Sequence, residues 1–171
     1  MKKILSTIPP LLILITGLLL LDRTQPRPDV APIKPPVVKP SLPPTPNEIL
    51  IQTGRRIGVL SISSGRPNEH LQRYAQQHAD YMARVCVQGH QGWNLRYASL
   101  RAALPGSRDF AEVANESWPN QSAEAAAAEM YRSWRYSSGH WAAVNGECEF
   151  YGYAMALGQN GTWYACGIFA K

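Results

Sequence analysis

Three patterns of apolar and polar residues succeed one another along the 171-residue chain. Residues 4–21 are apolar apart from Ser6, Thr7 and Thr16. No polar stripe marks an outward face, so the run reads as a signal h-region or a membrane anchor rather than a core helix. Lys2 and Lys3 precede it, and Leu21 meets Asp22-Arg23-Thr24 rather than the small residues of a cleavage site. No cysteine follows for a lipid anchor. An uncleaved transmembrane signal anchor over 1–21 is therefore the expectation, with a cleaved signal peptide as the alternative. Residues 22–46 have nine prolines in 25 positions. Such a linker forms neither ladder nor helix and is expected to be an extended, semi-rigid polyproline stalk.

From residue 47 to 171 the pattern becomes that of a folded domain. Ile49, Leu50, Ile57 and Leu60 mark a first helix over 47–61, weakened by Gly54 and Gly58. Asn68 caps a second, where Leu71, Tyr74, Ala75, His78, Met82 and Val85 recur at helical spacing. His78 lies on that apolar face and reads as a core histidine satisfied locally. A short helix is expected over 94–104, then a polar loop. Ser122 caps a further helix to about Tyr136, with Glu124 in its first turn. The helix ends at 137–140 and the chemistry turns to strands, 150–156 and 162–169, around Gly158-Gln-Asn-Gly161. Helices first and an antiparallel hairpin last define an α+β domain.

Charge follows the same division. Of 17 Lys and Arg, six precede residue 47, and of 12 Asp and Glu, two do, so the net +5 splits into +4 for leader and stalk and +1 for the domain. A nucleic-acid-binding domain concentrates basic residues on itself, so nucleic acid is excluded as a partner. Cys86, Cys148 and Cys166 all fall in the domain. Outside the cytoplasm they predict one disulfide and one thiol, with three pairings open and Cys148–Cys166, on neighbouring strands, the first choice.

His90 and His140 both lie in glycine-flanked breaks, where the backbone is free to aim a side chain into a cleft. Two imidazoles joined by a carboxylate suit zinc or proton transfer, and Glu112 and Glu116 are the acidic candidates in the intervening loop. The chain has no nucleophile elbow, no P-loop, no dinucleotide glycine pattern and no His-Glu-x-x-His.

The order Ala75-Gln-Gln-His78-Ala79-Asp-Tyr-Met82-Ala83, Gly89-His90, Asn115-Glu116, then Trp134-Arg-Tyr-Ser-Ser-Gly139-His140 resembles the CAP superfamily. That family includes cysteine-rich secretory, antigen 5 and plant pathogenesis-related proteins, and the likeness is nearest to its bacterial SCP-like branch. It spans about residues 49–170, and the Trp-to-His block is its most specific part. The resemblance implies a three-layer α-β-α sandwich with a cleft lined by two histidines and acidic residues. By position His90 and His140 would line the cleft as metal ligands. Glu116 would be its first carboxylate, standing where the family has Gly-Glu-Asn, with Glu112 the fallback. Ser137 replaces the second glutamate of eukaryotic members, and Trp141 replaces the arginine usual after the bacterial Gly-His.

The resemblance implies first a binding module, tethered to a membrane by its N-terminal segment, that holds a lipid, peptide or cell-envelope ligand outside the cytoplasm. The alternatives are a hydrolase using His90, His140 and Glu116 with zinc, and a structural or adhesive envelope protein with a vestigial cleft.

Overall fold

A computed structural model describes residues 42–171. The chain enters the fold on a capped helix. Thr45 accepts from the Glu48 amide while the Glu48 carboxylate receives the Thr45 N–H at 2.7 Å, and Pro46 occupies the first turn, where its missing donor costs nothing. This starts α1 (Pro46–Arg56). The single helix expected over 47–61 is interrupted. Gly58 sits at φ 73°, and the chain restarts as α2 (Leu60–Ser64). A two-residue strand, β1 (Arg66–Pro67), leads into α3 (Glu69–Val85), whose cap Asn68 accepts from the amides of His70 and Leu71.

Next come α4 (Trp93–Ala103), β2 (Phe110–Glu116) and α5 (Ala123–Tyr136), the last capped by Ser122. Then follow α6 (Ser138–Val144), β3 (Phe150–Leu157) and β4 (Trp163–Ala170). Two of these correct the expectations above. The polar loop contains a full strand, β2, because Phe110, Val113 and Ala114 bury while β4 supplies a ladder from Phe110–Ala170 to Glu116–Tyr164. Residues 138–144 are a helix rather than a mere stop, nucleated by Ser137, which caps it.

The fold is α+β. Its four-stranded sheet runs in the order β1-β3-β4-β2, with β1 parallel to β3 and the other pairs antiparallel. Strand alternation divides the apolar side chains between two cores, one per face. Val113, Tyr151, Tyr153, Ala165 and Phe169 join α1, α5 and α6 on one side. Phe110, Ala114, Ala154, Tyr164, Cys166 and Ile168 join α3 and α4 on the other. The result is helices, sheet, helices. In the first core Tyr153 meets Phe169 edge-on at 5.3 Å, and Tyr131 meets Trp134 likewise at 5.3 Å. Such pairs add about 0.5–1.5 kcal/mol each beyond area burial. In the second core α3 lies hard on β3, because Gly152 has no side chain to hold it off the main chain of Leu71 and Gln72.

The expected disulfide is absent among the described residues: all three thiols are free. Cys166 is paired across the hairpin with Ala154, whereas Cys148 precedes β3 altogether and lies against the carbonyl of Ser61. The two sulfurs therefore lie at different levels of the sheet, beyond the reach of one S–S bond. The transmembrane expectation is also corrected. No helix of the described residues is long and apolar enough to cross a membrane. Residues 1–21, on which that expectation fell, and most of the 22–46 stalk lie outside the described residues.

Candidate functional site

The site is assembled at the end of α3, where Cys86 adopts the left-handed conformation at φ 54° and terminates the helix. The loop that follows carries His90 and ends at Gly92, φ 73°, which caps α4. His78, on the buried face of α3, pins this loop. A carbonyl can only accept, so the His78 Nε2–H donates to the Gly89 oxygen at 2.7 Å. Burial holds the His78 imidazole below its ordinary pKa, against the pull of that hydrogen bond and of Glu112. It is neutral, and its Nδ1 is left without a partner. The core role expected of His78 thus has a specific content: it positions the loop that presents His90.

Glu112 projects from β2 on the same strand face as Phe110 and Ala114, toward α3 and α4. Its side chain is 1% exposed and needs compensation there. Arg96 on α4 supplies it with a two-pronged contact, Nε to Oε2 at 2.7 Å and Nη2 to Oε1 at 2.8 Å. His90 Nδ1–H donates to Oε1 at 3.0 Å. Burial alone would raise the Glu112 pKa, but the hydrogen bonds from His90 and Arg96 outweigh it and hold the carboxyl below its ordinary value. Glu112 is therefore an anion with both oxygens engaged.

This pairing fixes the imidazole. With Nδ1 donating to Glu112, Nε2 is the ring nitrogen left for any other partner. His140, in the first turn of α6, stands next to it, with ring centroids 6.2 Å apart and the planes inclined by 41°. Burial and the neighbouring His90 hold the His140 pKa below its ordinary value. A depression of about 440 Å³ opens beside His90 and is lined also by Trp93, Asn94 and Leu95.

Of the residues singled out in the sequence, His90 and His140 come together although they are 50 positions apart. Glu116 does not join them. It ends β2, exposed, beside Ser117, Trp118, Glu129 and Ser133. It lies four positions along the strand from Glu112, roughly 13 Å along the sheet. The carboxylate bonded to His90 is Glu112. Arg96 escaped the sequence reading altogether, since nothing in its local pattern separates a buried guanidinium from a solvated one.

The fit of a zinc ion follows from the donor set. Among the described residues no group of three or more His, Cys, Asp or Glu is placed to hold a metal ion. His90 and His140 offer two nitrogens, and Glu112, the nearest acid, is already taken by Arg96. A catalytic zinc ordinarily has three protein ligands, so the set falls short of one. What the fold and site define is an α+β layered domain in which two neighbouring imidazoles, His90 and His140, stand beside a buried Glu112 paired with Arg96. Neither a protein-family model nor a curated protein sequence matches the chain.

Proposed function

We propose that the chain is an extracytoplasmic CAP-like domain that binds a lipid, peptide or cell-envelope ligand in the cleft between His90 and His140. The observation that carries this reading is the state of Glu112. Its oxygens accept from His90 and Arg96, which leaves no lone carboxylate in the cleft to act as general base. His90 Nε2, the ring nitrogen not bonded to Glu112, is the one that meets a polar group of the ligand. The histidine order and the Trp134-to-His140 block support the CAP assignment. The apolar run and proline-rich stretch before residue 47 support a place outside the cytoplasm.

The test is a calorimetric titration of the full chain with envelope lipids, sterols and peptidoglycan peptides. Binding that disappears in the His90→Ala/His140→Ala double variant is the expected result. Absence of binding by every class, with and without added zinc, overturns the proposal. A second reading, zinc-assisted hydrolysis, draws on the 6.2 Å approach of the two rings, which would supply two of the three protein ligands a catalytic zinc ordinarily has. Zinc affinity unchanged in the same double variant would eliminate it.

A further inference from the structure

A second concavity, about 500 Å³, lies between α3 and α4. Its volume is that of a small-molecule site. Tyr74, Gln77, Tyr81 and Arg84 reach it from α3 at helical spacing, while Gln91, Ser99 and Arg96, the last already paired with Glu112, close the other side. His78 forms part of the wall. The lining includes no carboxylate. Arg84 makes no ion pair among the described residues. Its guanidinium lies over the Tyr81 ring, 5.5 Å from the centroid, and Tyr81 is stacked in turn on His78 at 6.2 Å. The cation is thereby held beside the groove while remaining exposed.

We propose that this α3–α4 groove binds a carboxylate-bearing sugar. The chemistry of the wall selects the ligand. Two phenols, two carboxamides and a serine hydroxyl offer a mixture of donors and acceptors, which matches the many hydroxyls of a pyranose. Arg84 supplies the fork that a planar carboxylate takes up in two hydrogen bonds. A neutral sugar leaves that charge unanswered, and an apolar chain leaves the polar wall unpaired. Neither His90 nor His140 lines the groove, although Arg96, which braces Glu112, and His78 form part of its wall.

N-acetylmuramic acid and glucuronic acid are the two probes, because the same chemistry occurs in peptidoglycan and in acidic polysaccharides. N-acetylglucosamine is the neutral control. Backbone amide shifts of the full chain are followed during each titration. The expected result is movement at Tyr74, Gln77, Tyr81 and Arg84 with one or both acids, which also tells the source. Binding should be about tenfold weaker for the neutral sugar, and about tenfold weaker in Arg84→Ala, for loss of a charge-assisted bond. Gln77→Glu, which places a like charge at an exposed α3 position, should weaken it as well. The His90→Ala/His140→Ala variant should bind as the natural chain does. The proposal is overturned if neither acid moves those amides, if the neutral sugar binds equally, if Arg84→Ala has no effect, or if the shifts map to the cleft alone.

Discussion

His90 and Glu112 are joined by a 3.0 Å hydrogen bond between a half-exposed imidazole and a carboxylate that is 1% exposed. The bond fixes which ring nitrogen faces the carboxylate, and the carboxylate remains charged because His90 and Arg96 together offset its burial. The cleft is thus as stable as its buried ion pair.

Removing one member of that pair strands the other. Arg96→Ala is expected to lower stability by about 3–5 kcal/mol, as buried charges without partners do. The double substitution Arg96→Met/Glu112→Met should recover most of the loss, because two apolar groups replace two desolvated charges. Urea denaturation of the three proteins measures both effects. Equal destabilisation in the single and double variants would show that the pair is not the source.

Acid sensitivity should begin near the histidine range. The folded-state pKa of His78 lies below its ordinary value of 6.5, chiefly through burial. The unfolded chain therefore takes up the proton first, so the contribution is full above pH 6.5 and is lost as pH falls below it. His140 acts in the same direction, and Glu112 adds its own loss only as pH falls below the ordinary carboxylate value of 4.5. The urea midpoint should decline from pH 7 to 5, and less steeply in His78→Gln. A flat profile over that interval contradicts the assignment of His78 as a buried neutral ring.

Gly152→Ala tests the approach of α3 to the sheet. The added methyl would meet the main chain of Leu71 and Gln72, which cannot swing aside as a side chain can. A loss of about 1–3 kcal/mol is expected from overpacking, read as a lowered melting temperature. Gly106→Ala is the control, because a methyl there meets nothing within 4 Å.

The thiols should react in two stages. Cys86 is partly exposed, whereas Cys166 is fully buried, and Cys148 is 8% exposed with its pKa pushed up to about 11 by burial. A thiol reagent should modify Cys86 in the native protein and all three after unfolding, without prior reduction. One reactive thiol in the unfolded, unreduced chain would mean that a disulfide forms after all.

Much of the framework was legible in local signals. Asn68 and Ser122 mark the starts of α3 and α5 because their side chains satisfy first-turn amides, a matter of neighbouring residues alone. Gly158-Gln-Asn-Gly161 marks the hairpin for a similar reason, since the turn is built from its own residues. The α6 helix was hidden because its seven residues are too short for a clear period. The β2 strand was hidden because its Glu112, Asn115 and Glu116 disguise the apolar alternation of an edge strand.

What the sequence by itself determined is therefore the α+β content, the helix caps, the hairpin and the loop that carries His90, whereas His140 lies in the first turn of α6. These depend on residues within a few positions of one another. Tertiary structure alone decided which glutamate meets His90 and that Arg96 neutralises it. It also decided that the cysteines stand apart. Glu112 and Glu116 share a strand face and a chemistry. Only the pairing of β2 with β4 and the packing of α4 over one end of the strand tell them apart. The reason is physical: desolvation and ion pairing depend on what other segments bring to a position, and a local pattern carries no record of that.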